Sequence, residues 1–216
     1  YGCKRPTFHD EFLPTFNLPH VTLVDTAPLG VSRINQRGVV HDGTEYPLDV
    51  LIYATGFQWM ATSTFNMITG RGERTLREKW QTEGVKTFLG MHSEGFPNLF
   101  IMSGPQGGGG QFNFTLGIEA HTDYVVWMLK TMRERGVGVV DVRKDPEVAY
   151  AQHCRDADLN TRALRDCLSY YNGEGNAEPG SLAYYGGPGQ WHALRSTAQA
   201  TLEPYVFDGA RHTQTV

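Results

Sequence analysis

The chain has 216 residues, is 40% hydrophobic and 12% aromatic, and carries 19 Lys+Arg against 23 Asp+Glu for a formal net charge of −4. That is the composition of a globular protein with a sizeable core, and its mildly acidic balance argues against a nucleic-acid or polyanion binder. No run approaches the roughly 18 apolar residues of a membrane-crossing helix, and no signal-peptide pattern is visible. The three cysteines, Cys3, Cys154 and Cys167, form no Cys-x-x-Cys pair; they suit a reducing, cytoplasmic compartment and cannot make a zinc site by themselves.

The chain opens at Tyr1-Gly2-Cys3-Lys4-Arg5-Pro6 without an initiator methionine, which reads as a fragment of a longer polypeptide or, alternatively, as a processed terminus. Thr7 to Asn17 reads as a loop. His20 to Asp25 alternates as a strand should, and Val31 to Asn35 and Gly38 to His41 give two more. Asp42-Gly43-Thr44 is a hairpin turn, and Tyr46 to Tyr53 leads onward. The stretch Leu48-Asp49-Val50-Leu51-Ile52-Tyr53-Ala54-Thr55-Gly56-Phe57 stands out. Its unbroken strand-favouring run reads as a buried strand with both faces covered. The small residues closing it either let the backbone pass close to a ligand or simply turn a core strand sharply.

Further on, Leu76 and Trp80 predict a short helix over Thr75 to Gln81, and Val85 to Gly90 and Asn98 to Met102 read as strands. Then comes Gln106-Gly107-Gly108-Gly109-Gly110-Gln111, either a flexible linker or a backbone lying close to a ligand. A helix follows from about Thr115 to Arg135, stopped by Gly136. Strand, glycine loop and helix start together suit an anionic or dipolar group, although neither a Gly-x-Gly-x-x-Gly nor a Walker loop occurs. Val137 to Val142 predicts a strand. Asp145-Pro146-Glu147 predicts a helix start, with the helix running, with a break, to about Arg165. A Tyr-, Gly- and Asn-rich stretch begins at Leu168, a short helix spans Trp191 to Thr201, and the residues from about Asp208 read as a frayed tail. No nucleophile–base pair or metal site is legible. His92, beside Ser93 and Glu94, is the most suggestive histidine and reads best as a surface-loop residue. His153 and Cys154 are adjacent and point to different helix faces.

The ordered set Gly2-Cys3-Lys4-Arg5-Pro6, Phe16-Asn17, His20–Asp25, Leu48–Phe57, Phe96-Pro97-Asn98-Leu99-Phe100 with Gly104-Pro105, and Ile118-Glu119-Ala120-His121 resembles the carboxyl-terminal part of a Baeyer–Villiger monooxygenase. The resemblance runs from Tyr1 to about Tyr185. It implies an α/β fold: part of a two-dinucleotide-binding-domain (FAD/NADP Rossmann-like) flavoprotein whose amino-terminal half is missing. Residues 1–53 would close the NADP-binding domain, and residues 54–216 the FAD-binding domain with its substrate-pocket loop. FAD and NADP are the implied cofactors, and a small-molecule ketone and oxygen the implied partners, with no nucleic acid and no membrane segment. The implied reaction inserts oxygen beside a ketone, giving an ester or lactone by way of a peroxyflavin.

The same resemblance assigns residues. Arg5 matches the active-site arginine, whose guanidinium keeps its charge and suits a peroxide anion. Lys4 matches a lysine recognising the NADP 2′-phosphate, Thr55 and Gly56 a cofactor crossing, and Tyr170 a position often held by Trp against the NADP ribose. Gly109, Gly110 and Gln111 fall on the loop lining the substrate pocket, with Phe114 at its edge. Bulkier side chains are usual in that loop, so the glycines imply a roomier pocket or a more flexible loop. The Gly-Ala-Asn-x-Pro-Gly run that follows the Trp position is altered to Gly173–Gly180. Both Gly-x-Gly-x-x-Gly loops and the Phe-x-Gly-x-x-x-His-x-x-x-Trp fingerprint are absent, so the chain alone is expected to be inactive. Two alternatives stay open: an N- or S-oxygenating flavin monooxygenase, which Lys4-Arg5 disfavours, and a truncated non-catalytic binding or assembly module.

Overall fold

The computed structural model describes residues 8–56, 63–108, 113–161, 169 and 182–210. The chain divides into two compact units, one of residues 6–57 and the other mainly of residues 58–216.

In the first unit a one-turn helix, α1 (Phe12–Thr15), precedes a three-stranded antiparallel meander. Its strands are β1 (Arg33–Ile34), β2 (Gly38–His41) and β3 (Thr44–Pro47). Asp42 and Gly43 take φ of 46° and 76°, the left-handed pair that a two-residue hairpin needs, and they fix the register His41↔Thr44 and Val40↔Glu45. The predicted hairpin is therefore present, while the predicted strand at Val31–Asn35 shrinks to two residues.

Two other predicted strands of this unit do not form. Residues 21–26 and 48–56 belong to no strand. The ladder stops at Pro47, and Leu48 donates its N–H to the Arg37 carbonyl at 2.9 Å as its last tie to the meander. Beyond it Val50, Ile52 and Tyr53 are 73%, 83% and 69% exposed, the opposite of the burial expected. An apolar run takes up a strand only where a neighbour pairs with its backbone and covers its faces. Among the described residues none does.

The second unit begins with the one-turn helix α2 (Thr64–Met67) and a 3₁₀ turn at Arg71–Glu73. Helix α3 (Leu76–Glu83) follows, started by a capping box in which Thr75 and Glu78 satisfy each other's backbone N–H groups. It buries Leu76 and Trp80 in a small core with Val85, Phe96 and Leu182. The strands expected at Val85–Gly90 and Asn98–Met102 are absent. Positive φ at Leu89, Gly90, Asn98 and Ser103 turns the backbone there too often for a ladder. Asn98 takes over the pairing instead: its side chain accepts from Val140 N–H at 2.9 Å and donates to the Gly138 carbonyl at 3.0 Å.

Helix α4 (Phe114–Arg135) is capped by Asn113, whose side-chain oxygen accepts from the N–H groups of Thr115 and Leu116, and it ends at Gly136 with φ of 67°. Strand β4 (Val137–Val142) leads to α5 (Lys144–Thr161), and α6 (Gly187–Thr201) starts earlier than its predicted Trp191. Of the frayed tail expected from about Asp208, residues 208–210 belong instead to β5 (Tyr205–Ala210), antiparallel to β4 from Val142↔Tyr205 to Val137↔Ala210, and residues 211–216 lie outside the described residues. The main core gathers Phe88, Leu89, Met91, Tyr124, Met128 and Trp191 with their neighbours.

Candidate functional site

Of the residues singled out from the sequence, Lys4, Arg5, Gly109, Gly110, Gln111 and Tyr170 lie outside the described residues. Thr55 and Gly56 fall in the first unit and Phe114 in the second. Gly56 has φ of +88°, and a Cβ added there would meet nothing. Its backbone conformation, not crowding, is what calls for glycine. Phe114 is the first residue of α4, and its ring is 54% exposed.

The start of the glycine run is firmly built. Gln106 is fully buried at φ of +61°. Its side-chain carbonyl accepts from the Thr87 N–H at 2.9 Å and the Thr87 hydroxyl at 2.8 Å, while its amide nitrogen donates to the Val85 carbonyl at 3.1 Å. Its backbone N–H donates to the Leu182 carbonyl at 3.1 Å, and its own carbonyl accepts the Tyr150 hydroxyl at 2.8 Å. So many partners hold a conformation that an isolated glutamine avoids. Gly107 then packs backbone to backbone on Gly90, where an added Cβ would collide with the Gly107 main chain. The linker reading therefore fails at Gly107, where a Cβ would lie 3.1 Å from both the Gly104 carbonyl oxygen and His121 Cε1; the backbone contact itself requires glycine at Gly90.

Two histidines of this unit are buried; sequence reasoning misread His92 and gave His121 no role beyond its place in the Ile118–His121 motif. His92 is not on the surface. Its Nε2 lies 2.9 Å from the Tyr124 hydroxyl, which is hydrogen-bonded in turn to the Tyr205 hydroxyl. Burial lowers its pKa to about 4, opposed by a backbone hydrogen bond to Leu99. His121, on the α4 face that meets the core, is 1% exposed. Its Nδ1 accepts from the Ser103 N–H at 3.1 Å. Burial brings its pKa to about 4 as well, against a backbone hydrogen bond to Gly107 and with a further push down from the Arg195 charge. The local signal for His121 was its helical spacing from Tyr124 and Met128, both buried, which places it on the core face.

A buried ion pair ties the α3 side of the unit together. Lys79 Nζ donates to both Glu147 carboxylate oxygens at 3.0 Å and to the Glu94 carbonyl at 2.7 Å. Glu147 also accepts from the Ser93 hydroxyl at 3.1 Å and the Glu94 N–H at 2.8 Å. Burial still raises the Glu147 pKa, with Lys79 pulling the other way. Every charge here is consumed internally, so the cluster joins α3, the 92–94 turn and α5 rather than offering itself to a ligand. Among the described residues no group of His, Cys, Asp and Glu could hold a metal ion, and no helix is long and apolar enough to cross a membrane.

No protein-family model matches the chain. It is 37% identical over 98% of its length to a Baeyer–Villiger monooxygenase of Streptomyces coelicolor, covering 36% of that protein. It is 43% identical over 96% of its length to a polycyclic ketone monooxygenase of Thermothelomyces thermophilus, covering 34% of it. Among solved structures, the polycyclic ketone monooxygenase of Thermothelomyces thermophila superposes with a TM-score of 0.82 at 33% identity, over 96% of this chain and 35% of that one. A steroid monooxygenase bound to NADP gives 0.80 at 27% identity, over 97% and 40%. The chain thus spans about a third of the length of the curated relatives it matches. By sequence and by fold, the chain is a relative of the Baeyer–Villiger monooxygenases over that third of their length.

Proposed function

We propose that this chain is part of a cytoplasmic FAD- and NADPH-dependent monooxygenase that inserts one oxygen atom beside a ketone carbonyl to give an ester or lactone. The observation that carries this reading is its 37% and 43% identity to named Baeyer–Villiger and polycyclic ketone monooxygenases over nearly its whole length. An amino-terminal half of the same polypeptide supplies the loops for the two cofactor pyrophosphates, since no Gly-x-Gly-x-x-Gly occurs in these 216 residues. The exposed run of Val50, Ile52 and Tyr53 supports such a partner. We assign residues 1–53 to the NADP-binding side and 54–216 to the FAD-binding side; the division of the chain near residue 57 falls close to that boundary.

Bound FAD supplies the oxygen-activating chemistry, and the residues of this chain do the rest. Arg5 provides a fixed cation for anionic oxygen and meets the nicotinamide, because guanidinium never deprotonates in water. Lys4 binds the 2′-phosphate of NADP, and Tyr170 contacts its ribose. Thr55 and Gly56 bring the backbone against a cofactor. The open α-carbon of Gly56 fits that role, since no described residue fills the space a side chain would take. Gly109, Gly110, Gln111 and Phe114 line the ketone pocket, and the lack of side chains in the glycine run favours a bulky ketone.

The test uses the longer polypeptide that carries this chain. It should be yellow, oxidise NADPH in the presence of a polycyclic ketone, and yield a product one oxygen heavier that chromatographs as an ester or lactone. Arg5→Ala should retain FAD and lose the ester. Ester formation by that variant would remove Arg5 from the mechanism, and N- or S-oxygenation without any ester would replace the reaction itself.

A further inference from the structure

The segment Ser103 to Gly107 leads directly into the residues assigned to the ketone pocket, and one side chain holds both of its ends. His121 Nδ1 accepts from the Ser103 N–H at 3.1 Å. With Nδ1 accepting, the neutral ring carries its proton on Nε2. At the other end the ring lies against Gly107, whose backbone favours the protonated ring and so opposes the effect of burial. The ring itself cannot shift. Its centroid lies 5.2 Å from that of Trp191. Arg195 sits 5.5 Å over the same indole and donates to the carbonyl of Ala120, the residue before His121, at 3.1 Å. A Cβ on Gly107 would come within 3.1 Å of His121 Cε1, so ring and turn are in direct contact.

We propose that His121 is a positioning residue for the ketone pocket: its imidazole clamps the Ser103–Gly107 turn to α4, fixing the entry of the glycine run relative to Phe114 on the same helix. This rests on the assignment of the pocket given above. The residues that follow Gly107 in sequence are glycines, which bring no side chains of their own to brace against α4. A neutral ring of fixed tautomer in a dry setting is a spacer, not an acid or base. A displacement of about 1 Å in a positioning element can cost on the order of a hundredfold in rate.

The experiment compares three variants in the longer, FAD-containing polypeptide. His121→Phe keeps a ring and loses the hydrogen bond to Ser103. His121→Asn places an oxygen where Nδ1 stood, whereas His121→Gln places its amide near Nε2, away from Ser103, and should leave Ser103 exchange fast. His121→Phe should keep its FAD, raise KM for a polycyclic ketone at least tenfold with a smaller effect on kcat, and speed hydrogen exchange at the Ser103 amide at least tenfold. His121→Asn should restore slow exchange at Ser103 and recover part of the KM. An unchanged KM with unchanged Ser103 exchange in His121→Phe overturns the proposal. Loss of FAD from all three variants makes His121 a purely structural residue and overturns it equally. If the unsubstituted protein turns over no ketone, the functional assignment fails and the pocket role fails with it. The exchange data then still show whether His121 holds the turn.

Discussion

His92 and His121 give this protein a pH dependence whose sign can be worked out. Each has its pKa lowered to about 4 by burial, while in the unfolded chain each titrates near 6.5. Between those values the unfolded state binds more protons, so stability falls as pH falls. The contribution is fully present above about pH 6.5 and is lost progressively down to about pH 4, at up to ~1.4 kcal/mol per pH unit for each histidine. Glu147 is shifted up, which works in the opposite direction and blunts the acid end of the curve. Urea midpoints taken between pH 4 and pH 7 should therefore decline toward acid, and His92→Phe should flatten the decline while lowering stability at neutral pH. The glycines offer a second test at this scale. Gly84 and Gly90 have φ of +77° and +73°, but a Cβ at Gly84 meets nothing while one at Gly90 collides with Gly107. Gly84→Ala should cost about 2 kcal/mol, the strain of a conformation (φ 77°, ψ 161°) that only glycine adopts readily, with no steric clash added. Gly90→Ala should cost about 3 kcal/mol or more and disturb Gln106, because two backbones must separate.

At the level of elements, local signals and long-range pairings part company. The hairpin at Asp42-Gly43, the stop of α4 at Gly136 and the strand β4 were legible because each depends on a few neighbouring residues. The Thr75–Glu78 capping box explains why α3 begins where it does, and Thr75→Ala should lower stability by about 1 kcal/mol in thermal unfolding. What stayed hidden depends on partners far along the chain. Strand β5 went unread, and its last residues from Asp208 looked like a tail, because its ladder partner β4 lies far back in sequence. His92 looked exposed because Tyr124 and Tyr205 are remote from it. The Lys79–Glu147 pair was invisible for the same reason. Removing one partner strands a buried charge, so Lys79→Met should cost about 3–5 kcal/mol, whereas Lys79→Met with Glu147→Leu should recover much of that loss. Lys4, Arg5, Tyr170 and Phe114 were legible only through family resemblance, whereas Gly56 and the glycine run could be read from the residues alone, as a backbone near a ligand or as a plain turn or linker.

For the whole molecule, the telling feature is an apolar run without a cover. Leu48 to Tyr53 has the composition of a strand buried on both faces, yet Val50, Ile52 and Tyr53 are largely exposed and their backbone joins no ladder. A run of this kind is a pairing surface, and in isolation it is an aggregation hazard. An amino-terminal half that adds strands beside it would both cover the run and bring the pyrophosphate loops missing here. The two effects can be separated. The purified 216-residue chain should be colourless, fail to oxidise NADPH, bind a hydrophobic dye and self-associate. Val50→Lys with Ile52→Lys should reduce dye binding and self-association in the isolated chain, since each charge interrupts the apolar run. In the longer polypeptide the same two lysines should be destabilising, because there they enter a covered sheet as unpaired buried charges. Opposite signs of one double substitution in two lengths of the same protein would identify the run as an internal strand. A substitution that is harmless in both, or a yellow and NADPH-oxidising 216-residue chain, would mean that the run is an ordinary surface and that these residues bind their cofactor without a second half.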